Sequence, residues 1–488
     1  MMKNPNNKTD KSYNITLFEA LTPLIILVIL LIYNVWVYGD NAMSGSNQFI
    51  LLIGAAIATI IGLKKGIDFK SMIDVVSMNL KSITGAILIL LFVGALSGTW
   101  LISGIIPSMI YYGLKILHPS VFLPSCVVIC AIISLATGSS WTTSATVGIA
   151  LIGISKAIGI PTGMAAGAII SGAYFGDKLS PLSDTTNLAP AISGSDLFTH
   201  IKYLTLTTVP TIIITLIVFI VINFFVVSTG PTDNEVLINT ISNTFNINPL
   251  VFIVPIIVVF MIFKKTPPLI ALFIGTILGA VFAVIFQPEV LKQLSGLNTL
   301  TIEGAYISIL DAITVDTSIE SGNPDLNDLF TSGGMKGMLN TIWLVICAMV
   351  FGGIMEAIGS LNKISNFLLE LGKSTFSLFA STAGSCLVLN LTASDQYLSI
   401  VIPGKMFSKA YKDKNLAPEN LSRTLEDTGT VTSVLIPWNT CGAYQSTVLG
   451  VSVFDYFIYA IFNWLSFFMT LFFAALNIKI KKLDIKAV

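Results

Sequence analysis

Long apolar runs separated by short polar segments dominate this chain. About 20 apolar residues suffice to cross the hydrocarbon core of a bilayer, so runs such as Leu17–Tyr38 and Tyr203–Val227 predict transmembrane helices. Applied along the whole chain, the same criterion predicts an all-α polytopic membrane protein with about ten transmembrane helices. The polar segments within and between these helices carry most of the information about function.

In two places a polar tip separates apolar arms that are each too short to cross a bilayer comfortably. The first stretch covers about residues 121–158 around Thr137–Ser144, and the second covers about residues 375–410 around Asn390–Gln396. Polar groups at membrane depth persist mainly where they line a cavity or bind a substrate. We therefore predict two re-entrant hairpins with tips near the middle of the membrane.

After each hairpin a proline interrupts a predicted helix within a polar stretch. The first helix, about residues 161–190, contains Pro181 in the run Gly176–Asn187, and the second, about residues 416–450, contains Pro437. Proline unwinds a helix and frees backbone carbonyls. The two prolines are 256 residues apart, and the hairpin tips at Gly138 and Ala393 are 255 residues apart. This agreement predicts that the second half repeats the plan of the first.

The charges of the loops predict the orientation. Lys3, Lys8 and Lys11 precede the first span, and the densest basic loop, Lys405–Lys414, follows the second hairpin. Lysines are enriched on the cytoplasmic side, so both termini are predicted to be cytoplasmic. The segment Gln287–Gly334 is strongly acidic, which predicts an extracellular position.

Five crossings and one hairpin in each half would give the two halves opposite orientations, an inverted-repeat architecture that transporters use. The predicted division of the chain is a first repeat at 1–227, an extracellular loop at 228–249, the first two helices of the second repeat at 250–286, an extracellular linker at 287–336 and the rest of the second repeat at 337–488.

Composition agrees with a membrane protein and narrows the partners. Of 488 residues, 54% are hydrophobic and only 11% are charged, and the mean hydropathy is +0.85. Basic and acidic residues balance at 26 each, without a basic stripe, so we expect the lipid bilayer and no nucleic acid as a partner. The five cysteines occur singly at predicted membrane depth and lack the paired spacing of a metal site.

Three carboxylates are predicted at membrane depth, namely Asp184, Asp177 and Asp395. Hard cations prefer carboxylate, hydroxyl, amide and carbonyl oxygen, and a carboxylate can hold either a cation or a proton. Asp184 is the first candidate because it follows Pro181 among polar side chains, although each acid also has a structural interpretation as a helix cap. The candidate oxygen ligands around them are Ser180, Ser183, Thr185, Asn187, Ser139, Thr142, Ser394, Asn439 and Thr440.

The single arginine, Arg423, has two interpretations. Its guanidinium group can bind a substrate carboxylate with two hydrogen bonds, but Glu419 and Asp427 each lie four residues away. Helical salt bridges at that spacing are the favoured interpretation. Glu426 and Asp427 are expected near a membrane face.

The stretch from Thr137–Thr142 through Gly172–Pro190, with Gly-Asp-Lys-Leu-Ser-Pro-Leu-Ser-Asp-Thr-Thr-Asn at its centre, resembles the NhaC family of sodium/proton antiporters. This resemblance implies an ion-transporter type fold with inverted repeats, in the cell membrane of a bacterium. It implies sodium extrusion in exchange for protons, with Na⁺ and H⁺ as transported ions and no cofactor. Under this hypothesis Na⁺ binds at Asp184, Asp177 and Asp395, and a homodimer is possible by analogy with other transporters.

Other functions stay open at this point. The family that the chain resembles includes malate-H⁺/Na⁺-lactate antiporters, so an organic-acid antiporter or an amino-acid exchanger is the main alternative. An intramembrane enzyme with an aspartate dyad is a second alternative, but the sequence has neither a His-Glu-x-x-His zinc motif nor a Gly-x-Ser-x-Gly nucleophile motif. No enzymatic activity is therefore expected.

Overall fold

The computed structural model describes residues 15–38, 45–226, 234–264, 266–321, 327 and 330–483. Across these ranges the regular elements are helices, apart from one antiparallel pair of two-residue strands, β1 (Thr317–Ser318) and β2 (Thr331–Ser332), and an isolated β-bridge between Leu416 and Lys482. Eight helices are long and apolar enough to cross a membrane, or up to ten if each of two bent helix pairs is one span. The predicted all-α polytopic fold is confirmed.

The first half contains α1 (Leu17–Tyr38), α2 (Ser46–Lys64), α3 (Phe69–Ser82), α4 (Thr84–Ile102), α5 (Ile105–Ile116), α6 (Phe122–Thr137), α7 (Ser140–Thr143), α8 (Ile149–Ala157), α9 (Thr162–Leu179), α10 (Asp184–Ser193) and α11 (Leu197–Phe225). A π-helical segment, Ser144–Gly148, joins α7 to α8. Helices α6 to α8 cover the predicted first hairpin, and α9 and α10 are the two parts of the first interrupted helix.

The second half contains α12 (Asn234–Thr244), α13 (Ile253–Phe263), α14 (Pro268–Phe286), α15 (Pro288–Ser295), α16 (Ile302–Thr314), α17 (Gly334–Gly337), α18 (Leu339–Ala357), α19 (Ser360–Glu370), α20 (Thr375–Thr392), α21 (Gln396–Asp413), α22 (Pro418–Leu425), α23 (Thr440–Leu449), α24 (Val453–Tyr456) and α25 (Ile461–Ala475). Helices α20 and α21 pack against each other and cover the predicted second hairpin. The second interrupted helix runs from α22 through a π-helical segment, Glu426–Thr430, to α23.

The first arm of each hairpin is longer than the sequence indicates. With the short 3-10 turn before it, α6 belongs to a 19-residue candidate span, and α20 is an 18-residue candidate span. Both helices continue into polar residues because those side chains bond to backbone carbonyls: Ser134 donates to Ala173 O at 2.5 Å, and Thr392 donates to Val388 O at 2.7 Å. The expectation of short arms is therefore wrong for these two helices.

Corresponding features of the two halves recur at one spacing. Ser139 and Asp395 cap the return helices of the two hairpins, and Ser183 and Asn439 cap the second parts of the two interrupted helices. Both pairs of caps are 256 residues apart, as are the left-handed glycines that end α10 and α23, at positions 194 and 450. These features match the predicted repeat, whose inverted orientation in the membrane stays a prediction.

The predicted acidic linker, 287–336, contains α15, α16, the β1–β2 pair and part of α17 rather than an irregular loop. It packs against α4 so closely that a Cβ at Gly98 would lie 1.7 Å from the carbonyl oxygen of Ala312.

Several charges relevant to the predicted orientation in the membrane lie outside the described residues, namely Lys3, Lys8, Lys11, Asp325 and Asp328.

Small residues on α9 allow its backbone to pack closely against that of α6. This contact fixes the position of the end of α9, where the first break begins. A Cβ at Gly172 would lie 2.2 Å from the carbonyl oxygen of Val127, and one at Gly176 would lie 2.4 Å from that of Ala131. Closely packed backbones of this kind are typical of small-xxx-small contacts in membranes. Gly176 directly precedes Asp177, so this contact also fixes the position of a candidate carboxylate.

We expect Gly172→Ala to lower the thermal stability of the purified protein by about 1–3 kcal/mol, because a backbone carbonyl cannot move aside as a side chain can. Gly384→Ala is the matched control, since a Cβ there would have no atom within 4 Å and helix propensity favours alanine. Thermal unfolding in detergent measures both variants. Equal melting temperatures for the two would contradict the packing argument.

Candidate cation-binding cavity

Both hairpin tips and both helix interruptions surround one cavity of about 290 Å³. Its polar side comes from the starts of α7, α10, α21 and α23, and its apolar wall comes from the start of α4, with Ile83, Ala86 and Ile89. Helices begin at this cavity because a capping residue follows each break. Each such start exposes backbone N–H groups that have no partner within the helix.

Eight of the twelve predicted site residues line this single cavity: Asp184, Asp177, Ser183, Thr185, Ser139, Thr142, Asp395 and Thr440. They come from four separate segments of the chain, the first hairpin tip, the first break, the second hairpin tip and the second break. The structure therefore brings together residues that are as much as about 300 positions apart in the sequence.

The other four predicted residues shape the breaks instead of lining the cavity. Ser180 is fully buried and accepts a bond from Leu182 N at 3.3 Å. The Asn187 amide donates to the carbonyls of Pro181 and Ser183 at 2.9 and 2.7 Å. Asn439 donates to Asn390 O at 3.1 Å. Ser394 has a positive φ of 58°, and its carbonyl accepts from Thr440 N at 3.0 Å.

Asp177 and Asp395 are each engaged with protein donors. One Asp177 oxygen accepts from the backbone N of Ser140 at 3.2 Å and from its hydroxyl at 2.7 Å, which ties the first break to the first hairpin tip. Asp395 caps its own helix by accepting from Leu398 N at 3.0 Å. The structural interpretation as a helix cap, which the sequence allowed for each acid, therefore agrees with the observed contact of Asp395.

Asp184 is different from the other two acids. It is the first residue of α10, where the helix dipole favours a negative charge. Its side chain is exposed and lines the cavity. Within the described ranges no hydrogen bond or salt bridge to its carboxylate is found, so both of its oxygens are available to an ion.

The three carboxylates surround one space without converging on one point. Among the described residues, no three His, Cys, Asp or Glu side chains are close enough together to hold a metal ion. A hard cation in this conformation would therefore need hydroxyl or carbonyl oxygens in addition to carboxylate, and such oxygens are abundant at both tips.

Sequence reasoning missed part of the lining. Tyr397 lies two residues beyond Asp395, lines the cavity and interacts electrostatically with all three carboxylates. Trp141 also lines it and stacks on Tyr444 with ring centroids 4.0 Å apart. Tyr397 directly follows the predicted second tip, Asn390–Gln396, and this proximity could have identified it. Nothing in the sequence indicated that α4 contributes to the cavity, because its wall residues are ordinary apolar residues of a membrane span.

None of the described residues that line the cavity is a lysine or an arginine. The nearest chain neighbour of this type, Lys178, points away and forms a fully buried ion pair with Asp427. With three acids and no basic side chain in its lining, the cavity favours a cation over an anion.

One expectation about the second interrupted helix is wrong. Arg423 does not pair with its helical neighbours, because Glu419 binds Lys481 at 2.6 Å and Asp427 binds Lys178. Arg423 is instead fully buried with its guanidinium carbon 4.6 Å from the ring centre of Tyr203. Glu426 and Asp427 are fully buried within the protein, and their position near a membrane face stays a prediction.

Comparisons with known proteins agree with a transport function. Residues 172–478 match the model of the Na⁺/H⁺ antiporter family. The chain is 38% identical over 84% of its length to the Na⁺/H⁺ antiporter NhaC of Alkalihalophilus pseudofirmus, covering 85% of that protein. It is 35% identical over 93% of its length to the malate-2H⁺/Na⁺-lactate antiporter of Bacillus subtilis, covering 92% of it.

A third relative widens the range of substrates. The arginine/ornithine antiporter ArcD of Halobacterium salinarum is 34% identical over 90% of this chain, which covers 88% of that protein. All three relatives are antiporters, and the sodium/proton exchanger has the highest identity of these three. This chain is a multi-pass membrane transporter that belongs to the Na⁺/H⁺ antiporter family.

Proposed function

We propose that the protein is a Na⁺/H⁺ antiporter that extrudes sodium across the plasma membrane of a bacterium, with both termini in the cytoplasm. The single observation that carries this proposal is the lining of the cavity, in which Asp177, Asp184 and Asp395 have no lysine or arginine among them in the described chain. Transported Na⁺ and H⁺ are the substrates, and no cofactor takes part. The lipid bilayer is the surrounding partner, and a homodimer is the proposed assembly.

The exchange follows from competition for Asp184. Its carboxylate binds either Na⁺, completed by oxygens such as those of Ser183 and Thr185, or a proton. One occupant must leave before the other binds, so opposite fluxes of the two ions are coupled. Asp177 and Asp395 add negative potential that attracts cations, while their hydrogen bonds hold the tips in place.

A sodium-coupled organic-acid antiporter is the second candidate. The helix starts at α10, α21 and α23 all border the cavity, and such starts attract carboxylate groups. The malate-lactate relative points the same way. Arg423 gives this candidate no support, because it lies outside the cavity lining.

The test is a proteoliposome experiment with a trapped pH dye and an imposed sodium gradient, carried out with and without malate, lactate or arginine. Proton flux driven by sodium alone is the expected result. Proton flux that appears only after an organic substrate is added would overturn simple antiport in favour of coupled exchange.

A further inference from the structure

A second group of polar side chains lies buried beside the cavity but outside its lining. We call it the inner cluster and define it by Lys178 on α9, Arg423 on α22, Glu426 and Asp427 in the π-helical segment, and Asn463, Ser466 and Thr470 on α25. Every one of these side chains is at most 1% exposed. Burying so many polar and charged groups is costly unless each one is hydrogen-bonded or paired, and ionisable side chains inside a membrane protein are by default candidates for function.

The ion pair between Lys178 and Asp427 links the inner cluster to the cavity and joins the two halves of the chain. Lys178 directly follows Asp177, which lines the cavity. The Thr186 hydroxyl lies within hydrogen-bonding distance of the carbonyls of both residues, at 3.2 and 3.1 Å. A change of charge in the cavity therefore changes the electrostatic potential at Lys178, because the distance is short and the surrounding protein screens charge weakly.

Glu426 is the unexplained member of the cluster. Neither of its oxygens has a hydrogen-bond partner within the described chain, although the Thr430 hydroxyl lies nearby. The Lys178 ammonium is already bonded to Asp427, and one ammonium balances only one carboxylate. A π-helical segment is rare and occurs frequently at functional sites. Glu426 thus has the burial and surroundings of a group that takes up and releases a proton.

The charged and titratable groups around Glu426 come from several elements. Asp177 and Lys178 on α9 and Asp427 on its own segment interact with it electrostatically. On the adjoining helices, Cys386 of α20 lies by Thr428, and Tyr411 of α21 lies by Thr424 and Arg423. The described helix α25 has no titratable side chain, and α10 has only Asp184, which lines the cavity.

Several polar atoms near Glu426 on the same and neighbouring helices lack a protein partner among the described residues. They are Thr430 Oγ1, Ser466 Oγ, Thr470 Oγ1 and all three guanidinium nitrogens of Arg423. About one helical turn before Arg423, Glu419 forms an ion pair with Lys481, whose side chain is partly exposed. Buried polar groups are normally satisfied, and internal water is the usual partner where protein groups are missing.

We propose that Glu426 is a second proton-binding site outside the cation cavity, through which the proton exchanged at Asp184 passes, and that internal water along the inner cluster carries this proton between Glu426 and the cytoplasmic end near Glu419. This inference rests on the proposed Na⁺/H⁺ exchange. When Na⁺ enters the cavity, its charge near Lys178 favours the ionised form of Glu426. The carboxyl group then gives its proton to the water chain, and the proton that Na⁺ displaces from Asp184 replaces it. The reverse transfers follow when Na⁺ leaves.

The test compares two activities of reconstituted protein. Exchange of ²²Na⁺ for unlabelled Na⁺ needs only the cavity, whereas Na⁺-driven proton flux needs the inner cluster as well. We expect Glu426→Gln to lower the proton flux at least about tenfold, as for loss of a positioned proton carrier, and to change Na⁺/Na⁺ exchange less than twofold. Glu426→Asp should restore a measurable part of the flux. Glu370→Gln, at an exposed helix end, is the control.

Equal losses of both activities, or no change in either, would overturn the proposal. If Glu426→Gln does not fold, Ser466→Val tests the same proposal. This substitution narrows the water path without removing a charge, so it should slow the Na⁺-driven proton flux and leave Na⁺/Na⁺ exchange unchanged. Failure of the proposed function looks different: wild-type protein would then exchange Na⁺ for Na⁺ without any Na⁺-driven proton flux.

Discussion

Asp184→Asn is expected to abolish transport, lowering both Na⁺-driven proton flux and Na⁺/Na⁺ exchange at least about a hundredfold. The asparagine keeps the shape of the side chain but cannot ionise, so it neither balances the charge of Na⁺ nor carries the exchanged proton. Asp184 is the carboxylate of the cavity that no protein donor engages within the described residues, which leaves it free for the ion. Reconstituted transport with a pH dye and ²²Na⁺ measures both activities.

The loss in both activities separates Asp184 from Glu426, which is expected to affect proton flux alone. Asp196→Asn is the matched control, because Asp196 also begins a helix but lies outside the cavity lining and caps α11 by accepting from Thr199 N at 3.0 Å. Normal melting behaviour of Asp184→Asn would show that folding is intact. Sodium-dependent proton flux at the wild-type rate in this variant would refute the assignment.

The second large effect concerns the buried ion pair. Lys178→Met should destabilise the protein by about 3–5 kcal/mol, since it leaves the Asp427 carboxylate buried without its counter-charge. The double variant Lys178→Met with Asp427→Leu should recover most of that stability, because replacing both partners by apolar groups of similar size removes the uncompensated charge.

Thermal unfolding of the purified variants in one detergent measures this difference. A single variant as stable as the wild type would contradict the importance of the pair. A double variant no more stable than the single one would show that Lys178 acts through packing, for example against Phe462, whose ring centre is 5.5 Å from its ammonium nitrogen. Na⁺-driven proton flux and Na⁺/Na⁺ exchange by the double variant then test whether the Lys178–Asp427 pair couples the cavity to the inner cluster.

Local sequence rules predicted most of the polar lining. A Ser, Asn or Asp cap after an interruption is a short-range signal, and the caps at Ser139, Ser183, Asp395 and Asn439 all occur at predicted hairpin tips or breaks. The recurrence of tips and breaks at nearly one spacing also predicted that the second half repeats the plan of the first. Three of these four residues line the cavity, while Asn439 supports the second break.

Those local rules could not predict contacts between distant parts of the chain. Lys178 and Asp427 are 249 positions apart, and nothing in the local pattern distinguishes that pairing from one with a helical neighbour. Arg423 illustrates the opposite error. The four-residue spacing rule describes exposed helices, but here Glu419 and Asp427 bind lysines from other elements, and Arg423 packs against an aromatic ring.

The most direct test of a shared Na⁺ and H⁺ site is the release of protons on sodium binding. Purified wild-type protein in weak buffer with a pH dye is titrated with NaCl, using choline chloride as the control, and the sodium affinity is measured at several pH values. We predict proton release on NaCl addition alone and an affinity that falls by up to about tenfold for each unit of decreasing pH. Sodium binding without proton release and without pH dependence would contradict this account.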